Sequence, residues 1–245
     1  MSWTAKQREA FLLLSGTALY CALYGGAGSG KSYVLAAKIR QRALEFPGSL
    51  QLIVRKTQRD ARATVWQTMM LKHCENDLRS GVARHDISTG RLLFRNGSEI
   101  RVGGLHPNEI DKILGPDYST IWVNEASEIA WRSIPALQTR LRQNVSHYTT
   151  NKQITRKIYF DFNPPTTAHW THKVFIEKVN PDTNKALSDR GNWCALKMNT
   201  ADNKENLPAN YIEILENLPE RERRRFLHGE FGSLSALVYD CFDHE

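Results

Sequence analysis

Leu23-Tyr24-Gly25-Gly26-Ala27-Gly28-Ser29-Gly30-Lys31-Ser32-Tyr33-Val34-Leu35 is the stretch from which the rest of the chain is read. The apolar run 19–24 ends in a glycine cluster, as a buried strand does. Residues 32–46 are rich in Ala, Leu, Lys, Arg and Gln and stop at Pro47-Gly48, which reads as a helix. Between them, Gly25 to Ser32 satisfies G-x-x-x-x-G-K-[ST] in the strand–loop–helix setting that its chemistry requires. Glycines let backbone N–H groups turn inward as an anion nest, and the helix N-terminus adds partial positive charge. The loop is expected to bind the phosphates of ATP through Gly25, Gly26, Ala27, Gly28, Ser29 and Gly30. Lys31 is the expected catalytic cation on the β- and γ-phosphates, and the Ser32 hydroxyl the expected ligand of Mg²⁺.

Outward from this loop, strand patterns at 50–55, 118–123, 154–162 and 193–198 alternate with helical patterns. The helices are expected at 3–15, 60–75, 133–142, 169–179, 208–218 and 220–228. Such alternation predicts an α/β fold with a mainly parallel sheet sandwiched by helices. Short strands at 86–89, 91–95 and 99–102, separated by Thr89-Gly90 and Asn96-Gly97, predict an antiparallel hairpin insertion at one edge. A P-loop ATPase core over 1–200 and a small C-terminal helical lobe over 201–245 follow.

Composition agrees. The 245 residues are 24% charged and 41% hydrophobic, which excludes collagen, coiled coil and global disorder. No uncharged apolar run approaches the roughly 20 residues of a membrane helix, and the N-terminus lacks a signal-peptide form. The four cysteines are far apart and form no C-x-x-C pair, so neither a zinc site nor a disulfide framework is expected.

A phosphate loop needs an acidic residue at the end of another buried strand. Thr120-Ile-Trp-Val-Asn124-Glu125 supplies it. Glu125 is the expected catalytic carboxylate that polarises water, with Asp161 as its competitor. Asn124 falls where a carboxylate would hold the magnesium shell. Its amide oxygen can still accept from a magnesium-bound water, without charge.

The net charge of +7 is unevenly spread. Residues 129–160 hold six basic and no acidic residues, and 38–62 hold seven basic against two acidic ones. Each run is either a solvated face or a surface aimed at phosphates. Arg132, Arg140 and Arg142 are the candidate DNA-binding residues, although Arg140 and Arg142 near a helix end could instead complement its dipole.

The whole pattern resembles the ATPase domain of the large subunit of tailed-phage terminases, the DNA-packaging motors. Thr4-Ala-Lys-Gln7, Tyr24 to Ser32, Val54-Arg55-Lys56-Thr57, Ile121 to Ala126, Phe162-Asn163-Pro164-Pro165 with His169-Trp170, and Leu227-His-Gly229-Glu230-Phe231 carry the resemblance, in that order. It implies a P-loop NTPase fold of the ASCE type, an adenine contact from Gln7, and a role for Asn163 in coupling hydrolysis to movement. It also implies a trans-acting basic residue reaching a neighbour's ATP. Where an arginine is usual this chain has Lys112, and Arg101 or Arg84 are alternatives. The implied partners are double-stranded DNA, the portal protein, the small terminase subunit and further copies of the chain. Those copies would form a pentameric ring on the portal, with the domain monomeric when alone. The implied location is the host cytoplasm, with no membrane association and transient residence on the procapsid.

The family's nuclease would follow this domain. No sequence remains here to form it, so nuclease activity is not expected of this chain, and the acids from Asp240 to Glu245 read as an exposed end. Two other readings share the phosphate loop: a helicase-like P-loop enzyme on nucleic acid, and a nucleotide-dependent DNA- or capsid-binding module in which Asn124 weakens turnover.

Overall fold

The computed structural model describes residues 3–233. The acidic terminus at 240–245 and the end of the expected C-terminal lobe lie outside them. Eight strands form one sheet: β1 Tyr20–Gly25, β2 Leu50–Arg55, β3 Ala83–Asp86, β4 Arg91–Phe94, β5 Glu99–Gly104, β6 Thr120–Val123, β7 Lys157–Phe162 and β8 Trp193–Met198. Their order is β3-β4-β5-β2-β6-β7-β1-β8. From β5 to β8 every pair is parallel, while β3-β4 and β4-β5 are antiparallel. The α/β class, the parallel core and the edge insertion thus stand as expected.

The central strands β1, β2, β6 and β7 are buried on both faces, and successive residues feed two cores. Leu23, Ile53, Trp122 and Tyr159 point to one side, where Ala10 and Leu14 of α1 (Ala5–Ser15) and Val34, Leu35 and Ile39 of α2 (Lys31–Glu45) cover them. Ala22, Leu52, Ile121, Val123 and Phe160 point to the other side, under Ile134, Leu137, Trp170 and Phe175. Each fully buried large side chain contributes roughly 1.5–3 kcal/mol, so both layers bind the sheet firmly.

Several elements differ from expectation, among them the helix expected over 169–179, which is π-wound from Lys173 to Glu177, and three differ for evident local reasons. The first strand of the insertion lies at Ala83–Asp86 rather than 86–89. The Asp86 carboxylate accepts from Ser88 Oγ (2.7 Å) and the Thr89 N–H (3.3 Å), which closes a turn where the strand was expected. The helix expected over 60–75 starts at Gln58 beneath a Thr57 cap and is π-wound from Arg62 to Met70. Within it Thr64 and Thr68 donate their hydroxyls back to the carbonyls of Asp60 and Thr64, a habit that bends and loosens helices. The helix expected over 133–142 ends at Gln138, because the Arg140 carbonyl turns to accept from the Tyr118 N–H (2.8 Å).

Strand order places the site. Parallel strands deliver their C-terminal ends to one edge, where an open α/β sheet presents its ligands. Gly25, Arg55, Asn124, Phe162 and Met198 all reach that edge. β7 lies between the phosphate-loop strand β1 and the Glu125 strand β6.

Candidate active site

Gly25, Gly28 and Gly30 take φ of 134°, 69° and 88°, which L side chains rarely adopt. The Gly26 N–H donates to the Met198 carbonyl (3.0 Å) and the Ala27 N–H to that of Phe226 (2.6 Å). Those of Gly28, Ser29 and Gly30 have no partner among the described residues. α2 starts directly after Gly30 with no side-chain cap, so its first-turn N–H groups also face the loop. Together they are a set of unpartnered donors of the kind an anion nest requires.

Lys31 folds back into this nest. Its Nζ donates to the carbonyls of Gly25 (3.3 Å) and Gly26 (2.6 Å), to Ser29 Oγ (3.2 Å) and to Asn163 Oδ1 (3.0 Å). Burial pulls its pKa down to about 8, against the opposing fields of Asp161 and Glu125. Asn163, singled out in sequence for coupling, therefore touches Lys31 directly.

Asn124 and Asp161 lie side by side, one position beyond the Val123↔Phe160 register pair. Asn124 Nδ2 donates to both Asp161 oxygens (3.1 Å each), Trp122 Nε1 to Oδ1 (2.7 Å) and Ser32 Oγ to Oδ2 (2.5 Å). Glu125 follows in the left-handed region at φ 53°, ψ 54°. Burial pushes its carboxyl up to about 7, Asp161 adds to the rise, and Lys31 and Arg55 oppose it. A carboxyl with a pKa near neutrality suits a general base.

The donor set suits Mg²⁺. Ser32 offers a hydroxyl, Asp161 a carboxylate and Asn124 an amide oxygen, all hard ligands. Among the described residues there is no cluster of three or more His, Cys, Asp or Glu that could hold a metal alone.

The sequence missed the roof of the site. The segment Thr200–Asn206, a 3-10 helix, and the turn after Phe226 lie on the phosphate loop. Thr200 Oγ1 donates to the Ala27 carbonyl (2.7 Å), and Asn203 Nδ2 to that of Gly28 (2.7 Å). Gln7 is buried beside Gly30. Its Oε1 accepts from the Thr4 N–H (3.0 Å) and its Nε2 donates to Asn203 Oδ1 (3.0 Å). The legible signal was Asn203 itself, an amide in a stretch of poor helix period.

Other candidates lie apart from this edge's centre. Arg101 on β5 makes a bidentate pair with Glu99 (2.7 and 2.9 Å), and Arg84 is exposed on the outermost strand β3. Lys112 lines a small cleft of about 170 Å³ with Arg91, Arg101 and Glu109. Arg142 pairs with Asp117 at 2.7 Å, Arg140 donates to the Leu114 carbonyl (3.1 Å), and Arg132 lines a cleft of about 560 Å³ with Lys56 and His106. No helix among the described residues is long and apolar enough to cross a membrane.

Solved structures share this architecture. The large terminase of a thermophilic bacteriophage matches with a TM-score of 0.70 at 16% identity, over 100% of this chain and 57% of that one. That protein is also known in complex with ADP and with ATP-gamma-S. The large terminase ATPase domain of Thermus phage P74-26 matches with a TM-score of 0.64 at 16% identity, over 94% of each chain. The HK97 bacteriophage large terminase matches with a TM-score of 0.63 at 13% identity, over 94% of this chain and 51% of that one. The chain therefore spans little more than half the length of the first and the last of these three proteins. At these identities the likeness is one of fold. No curated protein matches by sequence. The phage terminase large subunit family model, by contrast, matches residues 17–233, from just before β1 to the segment roofing the loop. That span includes Lys31, Asn124, Glu125, Asp161 and Asn163, and the chain belongs to the phage terminase large subunit family.

Proposed function

We propose that this chain is the Mg²⁺-dependent ATPase of a phage DNA-packaging motor, coupling ATP hydrolysis to movement of double-stranded DNA into a procapsid. One observation carries the reading: Lys31 and Ser32 of the phosphate loop converge with Asn124, Glu125 and Asp161 at one sheet edge.

On this reading the N–H groups of Gly28, Ser29 and Gly30 and the first turn of α2 hold the phosphates. Lys31 leaves its carbonyl acceptors for the β- and γ-phosphates and stabilises charge as the phosphoryl group transfers. Bound Mg²⁺ would neutralise phosphate charge, with Ser32 as direct ligand and Asn124 and Asp161 as its water-shell acceptors. Glu125 takes the proton of the attacking water. Asn163 gives up Lys31 when the nucleotide binds and regains it when the γ-phosphate leaves, so the turn Asn163-Pro164-Pro165 reports the nucleotide state. Gln7 reaches adenine only by releasing Asn203.

The partners that follow are double-stranded DNA, the portal protein, the small terminase subunit and further copies of the chain in a ring. The place of action is the host cytoplasm, on the procapsid. Lys112, which has no carboxylate within ion-pair distance among the described residues, is the better trans-acting candidate than Arg101, which Glu99 already holds.

Steady-state phosphate release with ATP and Mg²⁺ tests the chemistry. Glu125→Gln should lower turnover at least 100-fold and leave ADP affinity within about threefold, as loss of a catalytic base does. Lys31→Ala should lose both. Turnover that survives in Glu125→Gln would reject the assignment. ATP-driven movement on blunt duplex, without strand separation at a fork, would exclude the helicase-like reading.

A further inference from the structure

We propose that Asp161, on the strand between the phosphate-loop strand and the Glu125 strand, carries the negative charge of the magnesium shell, and that Asn124 is its neutral partner. The inference rests on the nucleotide-binding reading above.

Asp161 is 1% exposed. It sits within a strand whose six residues are all buried, Lys157-Ile-Tyr-Phe-Asp-Phe162. A carboxylate so placed is costly unless it is paired. Its donors, however, are the neutral Trp122 indole, Asn124 amide and Ser32 hydroxyl. No Lys, Arg or His lies within salt-bridge distance of it among the described residues. Three neutral donors orient the carboxylate, and the Lys31 ammonium feels its field without pairing with it directly. A counter-charge bound directly to it has its approach on the side of Ser32, the hydroxyl that the phosphate loop offers to a divalent cation.

The register explains why the neighbour is an amide. Position 124, just past the end of β6, lies beside position 161 of β7, and their side chains meet. Two carboxylates there would stand about 3 Å apart, and one would be forced to hold a proton. An amide at 124 instead donates to both oxygens of Asp161 and holds them still. Its own oxygen accepts no hydrogen bond among the described residues and remains for the metal's water. The pair thus holds one charge in total, moved from the end of β6 to β7. Asp161 is set aside as the base because it is 1% exposed and hydrogen-bonded to Ser32, the hydroxyl that would ligate the metal. That role stays with Glu125.

Swapping the pair tests this. The probe is Mn²⁺ binding to the protein–ADP complex, with protein in excess over ADP, read from the free aqua-ion signal in electron paramagnetic resonance. Asp161→Asn should weaken Mn²⁺ at least fivefold, while ADP affinity in EDTA stays level or tightens because a negative charge has gone. Asn124→Asp alone should not tighten Mn²⁺ and should lower the melting temperature, because two acids then face each other. The exchange Asn124→Asp/Asp161→Asn should return Mn²⁺ affinity to within threefold of the natural chain, which also separates lost charge from lost folding. Mn²⁺ affinity changed by less than fivefold in Asp161→Asn would overturn the proposal, and so would a double variant no tighter than Asp161→Asn. Failure of the unaltered chain to bind ADP at all would instead reject the nucleotide-binding reading.

Discussion

Glu125 occupies a backbone conformation that costs a non-glycine residue roughly 1–2 kcal/mol. The strain has a use: it turns the chain sharply after β6 and leaves Glu125 within the fields of Lys31, Arg55 and Asp161. Glu125→Gly should therefore raise stability by about 1 kcal/mol while abolishing turnover. In a chain of this size that is a rise of about 2–4 °C in the melting temperature, measured by thermal unfolding beside phosphate release. A fall in melting temperature would show that the side chain's contacts outweigh the strain. The sequence offered Glu125, Lys31 and Ser32 because motif spacing alone marks them. It offered Asp161 only as a competitor for the base, since its real neighbours are set by strand register, which no local pattern encodes. Charge misled in a different way. Lys38, Arg42 and Lys157 lie in the two basic runs, yet are 5%, 5% and 1% exposed. Lys38 Nζ donates to Ser15 Oγ, Arg42 to Thr120 Oγ1 and the Thr155 carbonyl, and Lys157 to the carbonyls of Gly16 and Ala18 at the end of α1. They serve as internal caps and bind no surface partner.

Among the elements, β1, β2, β6 and β7 were legible as mainly apolar runs, because a strand covered on both faces is largely hydrophobic. The segments roofing the phosphate loop were not, since a 3-10 turn and a tight bend have no period to detect. Gly229 shows what that roof requires. It has φ 59°, and a Cβ there would meet Gly25 Cα at 2.6 Å and the Gly26 nitrogen at 2.7 Å. Both neighbours are backbone, so neither can step aside as a side chain would. Gly229→Ala should push the turn off the loop, strain the Ala27 N–H bond to Phe226, and free Gly26 and Ala27 to move. ADP affinity should fall about tenfold or more and the melting temperature by several degrees. Isothermal titration and thermal unfolding would record both. Unchanged ADP affinity would mean that the roof does not govern the loop. Gly115, by contrast, has open space around its missing Cβ, so Gly115→Ala is a fitting control.

At the scale of the whole molecule, removing the buried cations leaves a smaller and more divided basic surface than the sequence total implies. On the candidate DNA face Arg142 is neutralised by Asp117, while Arg140 keeps its charge but gives donors to the Leu114 carbonyl and Thr139 hydroxyl. Arg132 differs. It lines a cleft with Lys56 and His106, beside the C-terminal sheet edge where Glu128 pairs with Arg55. A cation that neutralises a phosphate releases counterions, and each such contact steepens the log–log salt dependence of duplex binding by about 0.9. On the proposed role in DNA packaging, Arg132→Ala should flatten that slope by close to this amount. Arg142→Ala should change it much less, because removing Arg142 also unmasks the Asp117 carboxylate and the charge already stood in a pair. Lys38→Met should leave it unaltered, since a buried ammonium releases no counterion. Duplex binding measured by fluorescence anisotropy between 50 and 200 mM salt, roughly the range over which such contacts are resolved, separates the three. A slope equal in Arg132→Ala and the natural chain would remove this face from the DNA path and shift attention to the exposed bases of the β3–β5 insertion.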